Sequence, residues 1–286
     1  MAAPTLTHVR VPRPDGRVGV VPLAEPAGLP DTAPSVSCRK VYAAVHVVAD
    51  PWAASAGGGD DRACGIDWDA TLDVRRRIWA LGLGVAEAMD TAQRGAGLSW
   101  PSVRRLVDRT LAEAAGDTVV GIGTDQLPDG RASVAAVTEA YLEQLAYVED
   151  RGGTAVVMAS RALAATASGP DDYGRVYDAV LSAARQPAVL HWLGEAFDPA
   201  LRGYWGAADP GPAADVVLDI IGRHADRVAG IKMSLLDEGA ERALRGRLPA
   251  GVRMFTGDDY HYVDLIAGDH QGHSDALLGA LSLIHI

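Results

Sequence analysis

Along residues 41–280, short unbroken apolar runs alternate with stretches in which apolar residues recur every three or four positions. The runs are VYAAVHVV, LGLGVAEAM, TVVGIG, TAVVMAS, PAVLHWL, VAGIKMS, RMFTGD and SDALLGA. They begin at positions 41, 81, 118, 154, 187, 228, 253 and 274. Continuous apolar runs of this kind fit parallel strands covered on both faces. The stretches between them read as helices. Ser99 and then Trp100-Pro101 give an N-cap and an entry proline, and Val103, Leu106, Val107 and Leu111 follow at helical spacing. Val137, Tyr141, Leu145 and Val148 repeat the pattern, as do Tyr173, Val176, Tyr177, Val180 and Leu181, and then Val216, Val217, Ile220 and Ile221. Eight strands with helix-sized crossovers predict an α/β fold, a (β/α)8 TIM barrel, which typically takes about 250 residues. An open doubly wound sheet is the alternative, but no glycine-rich phosphate fingerprint follows the first run.

The ends of the chain differ from this rhythm. Residues 5–22 alternate apolar and polar positions on either side of Pro-Asp-Gly, which predicts a hairpin. A proline-rich connector follows over 25–37. Residues 1–40 are thus expected to form a hairpin and connector capping one barrel end, and 41–280 the barrel. The last six residues, LSLIHI, are what the transposase adaptor string CTGTCTCTTATACACATC encodes. Residues 281–286 are therefore expected to be adaptor-derived, with the barrel truncated after strand eight.

Composition narrows the function. Lys plus Arg is 26 against 37 Asp plus Glu, a net charge of −11, which argues against nucleic acid as a partner. Two cysteines are too few for a disulfide scaffold. No run is long and apolar enough to span a membrane, and the N-terminus lacks a signal-peptide pattern, so a cytoplasmic protein is expected. Among the 26 cations only Lys40 and Lys232 are lysines. Chemistry that needs a side-chain amine has two candidates.

Barrel enzymes work at the C-terminal ends of their strands. Residues at or near those ends are His46 and Asp50; Glu87, Asp90, Thr91, Gln93 and Arg94; Thr124 and Asp125; Ser160 and Arg161; His191 and Trp192; Lys232 and Ser234; and Thr256, Asp258, Asp259 and His261. Lys232, inside GIKMS, stands out. Burying an ammonium is costly unless it is paired or neutral. The neutral amine is the form that attacks a carbonyl carbon. The competing reading is a structural salt bridge to Asp258 or Glu87.

At AVLHWLGEAFDP with GYWG, GIKMSLLD, MFTGDDYHY and HSDALLGA, residues 41–280 resemble the dihydrodipicolinate synthase/N-acetylneuraminate lyase superfamily of class I aldolase barrels. More closely they resemble its uncharacterised branch, a domain of unknown function. The helix entry GLSWPSVRRL matches the helix after strand two. The resemblance implies a lyase or aldolase in which Lys232 forms a Schiff base with a small oxo acid or other carbonyl substrate. It implies no cofactor, and a homo-oligomer as the assembled form.

The departures are specific. The Gly-Thr-Thr-Gly-Glu segment at the end of strand two is replaced by MDTAQRG, leaving Thr91 as its hydroxyl. The strand-five tyrosine is replaced by His191. The arginine that follows it falls near Glu195-Ala196 and is absent, as is the tyrosine after strand four, near Arg161-Ala162. His191 is then the expected acid and base, its ordinary pKa near 6.5 suiting both directions. Thr91, Gln93, Arg94, Asp125, Arg161, Trp192, Ser234 and Asp258 are the expected substrate-binding residues, with Arg94 or Arg161 offering a fork to a carboxylate or phosphate. Residues 194–213 form a long Gly/Pro-rich loop that reads equally as a lid or as an oligomer contact. Two other readings compete. One is a divalent-metal barrel enzyme using His46, Glu87, Asp90, His191, Asp258, Asp259 and His261. The other is a degenerate, non-catalytic barrel.

Overall fold

Each apolar run places a strand. In a computed structural model, which describes residues 7–14, 16–23, 39–50, 65–89, 94, 97–128 and 132–279, all eight lie in one closed sheet. The strands are β3 (Lys40–Ala43), β4 (Gly84–Glu87), β5 (Thr118–Ile122), β6 (Thr154–Val157), β7 (Ala188–Leu193), β8 (Val228–Ser234), β9 (Arg253–Thr256) and β10 (Ala276–Gly279). All neighbours pair in parallel, and β10 closes the ring against both β9 and β3. This is the predicted (β/α)8 barrel.

Helices α1 (Trp68–Ala80), α2 (Trp100–Glu113), α3 (Val134–Glu149), α4 (Arg161–Thr166), α5 (Pro170–Ala183), α6 (Pro210–Arg223), α7 (Glu238–Arg245) and α8 (Tyr262–Ala267) fill the crossovers. Their apolar stripes are buried as the spacing predicts: Val137, Tyr141, Leu145 and Val148 on α3 are all out of water. Ser99 has N-cap geometry at α2, but its hydroxyl makes no cap bond and reaches Ser102 Oγ at 3.3 Å.

Two layers of core result. A small cluster, including Tyr42, Val119, Val156, Val189 and Phe255, fills the barrel. A larger one, including Leu190, Trp192, Ile231 and Met233, lies between barrel and helices. Alternation along each strand decides which layer a side chain joins.

The N-terminal hairpin forms, with β1 (His8–Pro12) antiparallel to β2 (Val18–Pro22) and Gly16 in the left-handed region at φ 77°. The expected cap does not form. Val9, Val11, Val18, Val20 and Val21 are exposed on both strands, so the hairpin buries no face against the barrel. Residues 281–286 and their expected adaptor origin lie outside the described residues.

Candidate active site

Ile231 and Met233 pack into the outer layer, so Lys232 between them turns into the barrel. Its register partners are His191 on β7 and Phe255 on β9. His191 lies two residues beyond Val189, which belongs to the barrel interior. The chain after β9 closes over this pair. A Cβ on Gly257 would stand 2.2 Å from Ser234 Oγ and 2.6 Å from Lys232 Cε. Only glycine allows that approach.

The amine is buried, with 7% of Lys232 exposed. Among the described residues it makes no hydrogen bond, and neither Glu87 nor Asp258 pairs with it. Burial pulls its pKa down to about 8, with the charge of Asp259 opposing. His191 is fully buried, and burial, followed by the nearby Lys232 charge, pushes its pKa well below the ordinary value. Its ring is therefore neutral. Nε2 lies 3.3 Å from Ser234 Oγ, and Nδ1 is buried without a partner. Lys232, His191 and Ser234 form one inward-facing group on two adjacent strands.

The other expected residues divide. Trp192 follows His191 and so points the other way, stacking edge-on against Trp205 at 6.3 Å in the helix layer. It is a packing residue and not a substrate platform. Asp258 is 2% exposed, and its carboxylate is filled by the backbone N–H of Tyr260 and His261 and by His261 Nδ1 at 2.9 Å. Arg94 is not a free fork. Its five N–H groups reach Ala88 O, Gly121 O, Gln144 Oε1 and, from two nitrogens, Asp125 Oδ1. Thr91 and Gln93 lie outside the described residues. Glu87 faces the helices, where Arg75 holds it. Among the described residues no three metal-ligating side chains cluster, so the metal reading finds no support there.

A cavity of ≈ 600 Å³ opens at the C-terminal ends of β5, β6 and β7. Thr124, Asp125, Ser160, Arg161 and Asp198 supply its polar atoms, and Met158 and Leu193 help line it. Lys232 does not line it. The two are joined through β7, where Leu193 borders the cavity and His191, two residues earlier, pairs with Lys232. The loop after β7 forms one wall through Ala200 and Leu201.

That loop is not a free lid. Tyr204 and Trp205 are buried, and Trp205 holds a left-handed φ of 69°. Such a conformation costs a bulky residue on the order of 1–3 kcal/mol. Tyr173, Tyr177 and Tyr204 surround the indole at ring distances of 4.6–5.9 Å. Tyr204 Oη accepts the Ser160 N–H at 3.0 Å, tying the loop to the cavity wall. Nothing in the sequence pattern marks Gln144, whereas Tyr204 and Gly257 lie within the GYWG and MFTGDDYHY segments without being marked there as site residues.

The Lys232 barrel can now be set beside known proteins. A family model, described as Protein of unknown function (DUF993), matches residues 9–285. The chain belongs to that family. No protein with a curated description matches. Among solved structures, the chain is similar to dihydrodipicolinate synthase from Bacillus anthracis, at 12% identity and a TM-score of 0.61, covering 85% of this chain and 70% of that one. It is also similar to the 2-keto 3-deoxygluconate aldolase of Picrophilus torridus, at 15% identity and a TM-score of 0.57, covering 84% and 73%. Dihydrodipicolinate synthase from Oceanobacillus iheyensis gives 12% and 0.58, covering 87% and 67%. At these identities the likeness is one of fold. No helix among the described residues is long and apolar enough to cross a membrane.

Proposed function

We propose that the chain is a lyase or aldolase of the dihydrodipicolinate synthase kind, working through a Schiff base on Lys232. The observation that carries this reading is the buried amine without a hydrogen bond on the sixth barrel strand, with its pKa down at about 8. A structural lysine would be paired. An amine of this pKa is in part neutral near pH 7 and can attack a carbonyl carbon. The carbinolamine then loses water, and the resulting iminium acts as an electron sink for breaking a neighbouring C–H or C–C bond. His191 is neutral and so enters as a base. It takes the proton from the carbon beside the iminium and returns it in the reverse step, with Ser234 beside its Nε2.

A non-catalytic barrel would be expected to hold this lysine in a salt bridge, and among the described residues Lys232 has none, which supports the enzyme reading. The test is reductive trapping. Incubation with pyruvate as the oxo-acid probe and borohydride should give a covalent mass adduct on Lys232, and Lys232→Ala should give none. An adduct that maps to another amine, or no adduct with the folded protein, sinks the Schiff-base reading.

A further inference from the structure

The two arginines that line the cavity at the ends of β5–β7 are in opposite states. Arg94 is 5% exposed and has spent all five N–H groups. Its partner Asp125 is used up with it: Oδ1 accepts from Arg94 and from Gln144 Nε2 at 3.1 Å, and Oδ2 is closed off from the surface. That pair is wall and not binding site.

Arg161 is open. It starts α4 on the cavity lining, and 52% of its side chain is exposed. Only its Nε is paired, with Asp198 Oδ2. Nη1 and Nη2 keep four N–H donors with no acceptor among the described residues. Asp198 comes from the loop after β7, and its other oxygen accepts the Ala200 N–H at 3.0 Å. The loop thus holds the guanidinium by its Nε, so less side-chain freedom is lost when a ligand meets the other two nitrogens. The hydroxyls of Thr124 and Ser160 bond to each other at 2.6 Å. Around them the wall is apolar, with Leu127, Pro128, Met158, Leu193 and Leu201. The cavity therefore pairs one charged fork with an apolar surface.

We infer that the substrate carries a carboxylate at its end remote from Lys232, that the Nη groups of Arg161 receive it, and that an apolar spacer joins it to the reacting carbonyl. This rests on the Schiff-base reading only for how the carbonyl end is held. A guanidinium fork matches the two oxygens of a carboxylate in geometry and charge. A hydroxyl offers one oxygen and no opposite charge. A phosphate brings close to two negative charges, which one guanidinium already shared with Asp198 does not balance. The volume of ≈ 600 Å³ leaves room for the spacer.

Calorimetric titration of the full chain carrying Lys232→Ala, which forms no imine there, reads the distal site alone. 5-Oxohexanoate should bind at least tenfold tighter than 5-oxohexanamide, its neutral isostere. It should also bind at least tenfold tighter than pyruvate, which has the carboxylate without the spacer. Adding Arg161→Gln should bring the preference for acid over amide below threefold. The comparison of acid with amide needs no change at Arg161, so it decides the matter even if the double variant fails to fold. Equal binding of acid and amide, no binding of either, pyruvate as tight as 5-oxohexanoate, an acid preference that survives Arg161→Gln, or tighter binding of 4-oxopentylphosphonate overturns the inference. Borohydride trapping on the parent chain reads the Schiff base separately: its failure with the titration intact removes the imine and leaves the carboxylate site standing.

Discussion

Two buried charge sites lie on opposite faces of the same barrel wall, and they are built in opposite ways. Outside, between β4 and the helices, Arg75 and Glu87 are both fully buried and meet as a two-pronged pair, Nε to Oε2 and Nη2 to Oε1, each at 2.9 Å. Every remaining site is filled. Thr110 Oγ1 and the Ala88 N–H donate to Glu87, and Arg75 donates to the carbonyls of Val45, His46 and Thr71. Inside, Lys232 is buried but 7% exposed, and among the described residues it makes no hydrogen bond. The fold can satisfy a buried charge completely where it serves architecture. At Lys232 no such satisfaction is found among the described residues, which is what the proposed nucleophile requires.

The largest expected effect breaks the outer pair. Glu87→Ala should cost about 3–5 kcal/mol in denaturant unfolding, because it strands the Arg75 charge. Lys232→Met should have the opposite sign and stabilise the chain near pH 7. The depression from 10.5 to about 8 corresponds to roughly 3 kcal/mol as an upper bound. Between about pH 8 and 10.5 the unfolded state binds the proton that the folded state has released, so the parent chain gains stability with rising pH across that window. Lys232→Met should lack that gain. A destabilised Lys232→Met, or the same pH slope in both chains, would mean that the amine is a structural partner after all.

The barrel was legible because its strands are apolar on both faces, but that same property hides which way each residue points. The run LGLGVAEAM spans nine residues, yet β4 occupies only Gly84–Glu87, and Ala88 turns left-handed at φ 55°. The run does not show where the strand ends or which of its residues point inward, so Glu87 reads as a strand-end candidate although, next to the inward Ala86, it faces the helices. Trp192 could have been placed from the alternation itself, since an inward His191 forces it outward. Arg94 could not. Its saturation depends on Gly121 and Gln144, which lie 27 and 50 positions away in sequence and meet it only when β4, β5 and α3 assemble. Lys232 was legible because a lysine within an apolar strand is a rare expense in a chain that otherwise uses arginine.

A second prediction sharpens the inner site without touching its polar atoms. Gly257→Ala drives a methyl into Lys232 Cε and Ser234 Oγ, and Met233 O stands 3.2 Å away. Overpacking of this kind costs about 1–3 kcal/mol. The expected signature is disproportionate: a modest fall in melting temperature with at least a tenfold loss of borohydride trapping at saturating pyruvate. If trapping survives at the parental rate in a folded Gly257→Ala chain, the loop after β9 does not set the lysine's position.

The smallest effect belongs to the other lysine and completes the contrast. Lys40 opens β3 at the N-terminal face, half-exposed, with its Nζ 2.5 Å from Asp117 Oδ2. The hydrogen bond to Asp117 raises its pKa, opposite to the shift at Lys232. The sign of its linkage is therefore reversed: whatever stability it adds is present below pH 10.5 and lost as pH rises through the raised value. Exposed pairs are worth about 0–1 kcal/mol and weaken with salt. Lys40→Met should change unfolding free energy by less than about 1 kcal/mol, with the difference shrinking at high salt. It should leave pyruvate trapping at the parental rate, measured beside Lys232→Ala. Loss of trapping in Lys40→Met would assign the reactive amine to the wrong end of the barrel, and with it every role argued from the burial of Lys232.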